Sequence, residues 1–335
     1  MVADNISAAL DQTLHVRDEL AGQGCGDIQF AAEFVYLLFL KILQDNKEEQ
    51  AELPVGFRWS DLRARDGVDQ QKFYRDLLLT LSAPQERPHL SPRPSARVML
   101  FYTNAASQIK YPKELTKLIL NIDLIDWFEA REAPNFLAFY EQLLERSEKR
   151  RKTKAQDYFT PRVVIRSLLR VLKPSPGETI QDPACGVGGF IVEASRYIRG
   201  RTTDLFELRA AEQYFHKHQA FTAVDINPDK YGLLLINCTA HGVQDTILSA
   251  DSLSSIGATL PKADLILCNP PFSKFQRGQR ATRDDFTYNT GSKQLCFLQH
   301  IYRGLKPGGR AAVMVPDNVL FENKQQVLDA IANET

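Results

Sequence analysis

The chemistry in this sequence concentrates at Asn269-Pro270-Pro271-Phe272, which closes the apolar run Ala263-Asp264-Leu265-Ile266-Leu267-Cys268. Proline cannot donate to a sheet ladder, so a strand over this run stops at Asn269. Pro271 keeps Pro270 extended, because the residue before a proline avoids the helical well. The product is a stiff elbow at the carboxyl end of a buried strand, the edge where open α/β sheets take their ligands. It carries the amide of Asn269, the carbonyl of Pro270 and the aromatic face of Phe272. That set suits a planar ring bearing an exocyclic NH2. The Asn269 side-chain oxygen and the Pro270 carbonyl can each accept one amino hydrogen, while Phe272 stacks on the ring. Two such acceptors draw the nitrogen lone pair out of conjugation and aim it at an electrophile. The plainer alternative is a turn that only ends a strand.

Other strand ends fall into line with this one. Thr179-Ile180-Gln181-Asp182 reads as a strand that runs into Pro183-Ala184-Cys185-Gly186-Val187-Gly188-Gly189-Phe190 and then an apolar helix. Ala220–Asp225 and Asp245–Asp251 read as strands ending in an acid. Arg310–Pro316 reads as a fifth strand, entered by the turn Lys306-Pro307-Gly308-Gly309. Alternating strands and helices imply a parallel sheet with helical crossovers. Gly186, Gly188 and Gly189 let the backbone approach a ligand closely. The dinucleotide pattern GxGxxG is not met, since Phe190 and Ile191 follow Gly189, and no Walker-type lysine loop is present. Asp225 suits two ribose hydroxyls and Asp251 an adenine amino group. Singly, each acid reads sooner as a helix cap or a solvated loop end; in ordered succession they point to a nucleoside with a charged tail in place of phosphates. S-adenosylmethionine is such a molecule.

The elements that must position these residues divide the chain in two. Spacing predicts helices over 3–21, 27–49, 69–82 and 113–131, and over 136–149 with Asn135 as cap. Glu86–Pro94 is too proline-rich to be helical, and no strand pattern occurs in the first 150 residues. An all-helical domain over 1–150 thus precedes an α/β domain over 151–335. The charged run Glu145–Lys154 marks the boundary, as a solvated linker or as a basic strip for a phosphate backbone. Thr160-Pro161 opens a helix over 161–172, a capping hydroxyl followed by proline at the first position.

Totals exclude several classes. The 335 residues are 44% hydrophobic and 24% charged, with a formal net charge of zero, so any nucleic-acid surface is a local patch. Five cysteines without CxxC spacing argue against a disulfide frame or a structural zinc site and fit a reducing cytoplasm. No signal peptide is expected at Met1–Asn5, and the apolar run Phe34–Leu40 is too short to span a bilayer.

Tyr158-Phe159-Thr160-Pro161-Arg162, Asp182–Phe190, Asp225-Ile226-Asn227-Pro228, Asp251-Ser252-Leu253, Asn269–Phe272, and the stretch from Phe297 through Leu305–Arg310 to Phe321 occur in order. Together they resemble the modification subunit of type I restriction–modification systems, an adenine-N6 DNA methyltransferase. The resemblance implies a Rossmann-like S-adenosylmethionine-dependent methyltransferase domain behind the helical one. Phe159 and Thr160 would contact the methionine part of the cofactor, and Asp182 with the Gly186–Gly188 turn would hold its amino acid end. Asp225 would take the ribose, Ile226 would pack on the cofactor adenine and Asp251 would bond its amino group. Tyr158, Pro161, Ala184 and Val187 complete the implied cofactor set. Asn269, Pro270 and Phe272 would hold the flipped adenine, with no metal required. Implied partners are double-stranded DNA, a specificity subunit and a restriction subunit. Methyltransferases of this fold usually add a strand hairpin, and these subunits C-terminal helices, after the fifth strand; the sequence given stops at Thr335, one helix beyond it. Two other readings stand beside this one: a methyltransferase for amines or amides of protein or RNA, and a cofactor-binding assembly module without activity of its own.

Overall fold

A computed structural model of the protein describes residues 2–22, 27–45, 50–103, 105–124, 160–202, 205–244, 246–272, 275, 280–317 and 319. The chain divides into two compact units, Met1–Ala155 and Gln156–Thr335.

The described part of the first unit holds helices Val2–Gly22, Asp27–Asp45, Trp59–Arg63, Gly67–Ser82, Ala96–Phe101 and Pro112–Asp123, and no strand. Its core forms around Asp27–Asp45. Phe30, Phe34, Leu37, Leu38, Phe39, Leu40 and Leu43 of that helix are fully buried, as expected of a helix apolar on most faces. One carboxylate shares the core. Glu33 accepts from the Tyr74 hydroxyl at 2.7 Å and from the backbone N–H groups of Gln108 and Ile109. Those donors offset the burial that pushes its carboxyl up. Trp59–Arg63 and Ala96–Phe101 escape sequence reading because they are too short for a helical period to register. The helix expected over 136–149, its cap Asn135 and the basic run 145–154 lie outside the described residues.

The second unit is built on strands β1 (Ile180–Asp182), β2 (Phe221–Asp225), β3 (Thr246–Ser249), β4 (Ala263–Cys268) and β5 (Leu305–Val313). Their order is β3-β2-β1-β4-β5, and every neighbouring pair is parallel. β1 and β2 are buried throughout and β4 nearly so, the pattern of strands covered by crossover helices on both faces. Helices Arg162–Leu172, Gly189–Arg199, Ala210–His218, Pro228–Ala240, Ser255–Ala258 and Lys293–Gly304 complete the described part of the unit. From β1 the chain winds outward to β2 and β3, then returns to the other side of β1 as β4. Ligand crevices open at such a reversal, outside the carboxyl ends of the strands.

Three local expectations are corrected. β3 stops at Ser249, paired with Asp225, so Asp251 is not a strand end; it sits in the turn that follows. β5 begins at Leu305, and Lys306–Gly309 belongs to its irregular first half, opposite a register shift between Ala263 and Leu265. The helix expected over 161–172 starts at Arg162, with Pro161 as its N-cap and no side-chain capping bond. Thr160 is therefore not a cap, and its hydroxyl serves another partner.

Candidate active site

With five parallel strands, the segments that leave β1, β2, β3 and β4 emerge on one edge of the sheet. The turn after β1 is tied down from several elements. Cys185 N–H donates to Val224 O at 3.0 Å and Gly186 N–H to Asp225 Oδ2 at 2.9 Å. Ser252 Oγ donates to Pro183 O at 2.6 Å, and Asn237 Nδ2 to the carbonyl of the buried Val187 at 2.8 Å. Gly186 and Gly188 hold φ of 58° and 86°, in the left-handed region that favours glycine. At Gly188 a Cβ would lie 2.8 Å from Cδ1 of the fully buried Leu234 and 3.4 Å from Cys238 Sγ. Gly188→Ala is therefore expected to cost about 1–3 kcal/mol of stability, read as a lowered melting temperature, with weaker nucleoside binding by calorimetry.

Three acids border this turn. Asp182 is buried and accepts from Ala184 N–H at 3.1 Å. Burial pushes its carboxyl well above the usual carboxylate range, and the Asp225 charge adds to that. Asp225 is also buried; its second oxygen, Oδ1, accepts from Asn227 N–H at 2.8 Å. Asp251 Oδ1 accepts from Leu253 N–H at 2.8 Å. Each of these bonds comes from a backbone N–H, and none of the three acids pairs with Lys or Arg among the described residues. Asp182 and Asp225 are buried and Asp251 half-buried; buried carboxylates without a cation are costly, so a ligand that brings positive charge fits here.

The elbow closes the other side of the reversal. Parallel pairing of Gln181 with Ile266 sets the ends of β1 and β4 side by side, and Cys268, the last residue of β4, has its thiol pushed up by burial and by the Asp182 charge. Leu253 and Cys268 share one buried cluster, with Ala184 and Phe275 packed against it. Asn269 Nδ2 donates to Thr160 Oγ1 at 3.1 Å. Asn269 Oδ1 is buried and has no partner among the described residues. Pro270 is buried, and the Pro271 carbonyl accepts from Gln294 Nε2 at 3.3 Å. Phe272 and Ile226 stand 47% and 65% exposed, open to pack on a planar ligand.

The structure thus gathers Thr160 with Asn269, and Asp182, Ala184, Gly186 and Asp225 with Cys268. It links Asp251 to the same turn through Ser252. Pro161 is exposed at the helix entry; Tyr158 and Phe159 lie outside the described residues. Sequence reasoning missed the supports Asn237, Ser252 and Gln294. Asn237 carried a signal, as an amide within the apolar Leu233-Leu234-Leu235-Ile236-Asn237-Cys238.

Comparison with known proteins adds relatives. The N-6 DNA Methylase family profile matches residues 133–331. The chain is 39% identical over 314 residues to the StySJI type I restriction enzyme methylase subunit of Salmonella typhimurium, which is 91% of this chain and 57% of that protein. It is 39% identical, with the same coverage, to the EcoKI methylase subunit of Escherichia coli K12. The chain therefore spans little more than half the length of these relatives. Among solved structures, one chain of a type I R-M system assembly superposes with a TM-score of 0.73 at 24% identity, over 98% of this chain and 67% of that one. A type I restriction-modification methyltransferase subunit from Streptococcus thermophilus superposes with a TM-score of 0.66 at 18% identity, over 100% of this chain and 79% of that one. At those identities the two structures speak to the fold alone.

Proposed function

The chain belongs to the N-6 DNA methylase family, and from that premise we propose that it methylates the N6 amine of adenine in DNA, with S-adenosylmethionine as donor. The observation that carries this reading is the buried, unpartnered Oδ1 of Asn269 at the reversal point of the sheet. A buried acceptor without a donor costs free energy, and an incoming amino group supplies that donor.

The cofactor would be held by Asp182 and the Gly186–Gly188 turn at its amino acid end, by Asp225 at the ribose, and by Ile226 and Asp251 at the adenine. Tyr158, Phe159, Thr160, Pro161, Ala184 and Val187 complete the set. The uncompensated acids and the left-handed glycines fit such a ligand. When bound it supplies an electrophilic methyl group. The rest falls to the chain: Asn269 Oδ1 and the Pro270 carbonyl each accept one N–H of the amine, and Phe272 stacks on the base. Alignment and preorganised acceptors then do the catalysis. The target adenine leaves the duplex at a cost of a few kcal/mol, and stacking on Phe272 offsets part of it.

We further propose that the chain works as the modification subunit of a type I system, beside a specificity subunit on double-stranded DNA and with a restriction subunit. The names of its relatives as methylase subunits support this. No helix among the described residues is long and apolar enough to cross a membrane. The buried free thiols of Cys185, Cys238, Cys268 and Cys296 suit a reducing cytoplasm. Transfer of labelled methyl groups to unmethylated genomic DNA, with protein and RNA run in parallel, tests the reading. Label is expected in DNA as N6-methyladenine; label in protein or RNA alone would replace the substrate, and none in any of the three would leave a cofactor-binding module.

A further inference from the structure

We propose that Arg283 is a positioning residue for the cofactor, holding the peptide group that aims the Asp251 carboxylate at the adenine amino group. The inference rests on the reading of Asp251 as that acceptor. Asp251 Oδ1 is already taken by Leu253 N–H at 2.8 Å, so the amino group falls to Oδ2, which has no partner among the described residues. The N–H that holds Oδ1 belongs to the same peptide group as Ser252 O. A peptide group is planar, so fixing the oxygen fixes the direction of the N–H. Arg283 Nη1 donates to that oxygen at 3.4 Å, a long bond that its cationic donor strengthens. Gly257 lies against the same oxygen, where an added Cβ would run into it. The direction of the Arg283 bond is not in doubt, because a guanidinium only donates and a carbonyl only accepts.

The guanidinium is itself held fast. Its side chain is 3% exposed. It grips Asp285 through Nε at 2.6 Å and through Nη2, and lies 4.7 Å from the centre of the Phe286 ring. Nη1 also donates to Nδ1 of the buried His300 at 2.8 Å, which leaves that ring neutral with its proton on Nε2. Burial, and then the Arg283 charge, push His300 down to about 4, so it accepts at neutral pH. Beside Arg283, Thr282 N–H donates to Leu253 O at 3.0 Å. Further along, Gln299 accepts from Tyr288 N–H at 2.9 Å and donates to Tyr288 O at 3.0 Å. Arg283 thus fastens the turn after β3 to a segment that is anchored on helix Lys293–Gly304.

Lysine at 283 keeps a cation beside Asp285 but loses the fork that spans Asp285, His300 and Ser252. Methionine removes the charge as well. Calorimetry on the full chain, with S-adenosylhomocysteine and with its analogue carrying hydrogen in place of the adenine amino group, reads the role without turnover. The parent is expected to bind the adenine form about tenfold tighter, the worth of one charge-assisted hydrogen bond. In Arg283→Lys the adenine form should weaken about fivefold and the analogue stay within about twofold, so that discrimination falls to about twofold. Arg283→Met should lose at least as much; if it fails to fold, the lysine variant decides alone. An arginine that served the fold only would lower the melting temperature and weaken both ligands alike, keeping their ratio. That result overturns the proposal, as do parental affinities for both. Asp251→Ala is the reference and should bind the two ligands equally. If it still discriminates, or if the parent does not, the reading of Asp251 fails and the proposal falls with it.

Discussion

Asn269→Ala is expected to lower the methylation rate about 100- to 1,000-fold, the range seen when one preorganised polar contact to the reacting group is removed. Cofactor affinity should stay within about twofold, because the acids and glycines assigned to the cofactor lie on β1, the turn after it, β2 and the turn after β3. Alanine deletes Oδ1 and leaves the amine held by the Pro270 carbonyl alone, so the lone pair is no longer drawn fully off the ring. The fold should tolerate the change. Among the described residues the side-chain bond lost is the one to Thr160, worth about 1 kcal/mol, while Cys268 O still receives Met314 N–H at 2.9 Å behind the elbow. Single-turnover methylation with the specificity subunit present, alongside calorimetric cofactor binding, separates the outcomes. A parental rate would sink the mechanism. A slow variant that also binds cofactor poorly would make Asn269 a binding residue.

Much of the candidate site's geometry was legible because the chain announces it locally. Two prolines after an apolar run stop β4 wherever the sheet lies, and glycines with positive φ bend the turn after β1. What sequence reading missed depends on long-range partners. Thr160 has the form of a helix cap, and nothing in its neighbourhood shows that its hydroxyl meets a side chain 109 positions away. Asp251 looked like the last residue of a strand, but the ladder ends when Ser249 pairs with Asp225, and Ala250 N–H already turns to Asp225 O. The residue that follows is released into a turn closed on Leu253 N–H. Asn237, Ser252 and Gln294 are likewise supports whose value appears only once the helices and turns that carry them are folded against the loops they hold.

Asp225→Asn is expected to be far from conservative, and the reason is in the donors that surround it. Both carboxylate oxygens already accept from backbone N–H groups, Oδ1 from Asn227 and Oδ2 from Gly186. An asparagine offers one oxygen and one NH2, so in either orientation a donor is pressed against a donor in a buried site. That should cost about 1–3 kcal/mol and appear as a lowered melting temperature without cofactor. With cofactor the loss should be larger. If the remaining lone pairs of Asp225 bind two ribose hydroxyls, each charge-assisted bond contributes about 1.5 kcal/mol or more. Their combined loss corresponds to a cofactor Kd about 100-fold weaker. Calorimetry and thermal melting on the same preparation divide the two effects. A lowered melting temperature with unchanged Kd would leave Asp225 as a scaffold for the glycine turn and move the ribose elsewhere. An unchanged melting temperature with a weakened Kd would mean the turn stands without it. Only the joint loss fits a carboxylate that builds the turn with one set of lone pairs and offers the other to the ligand.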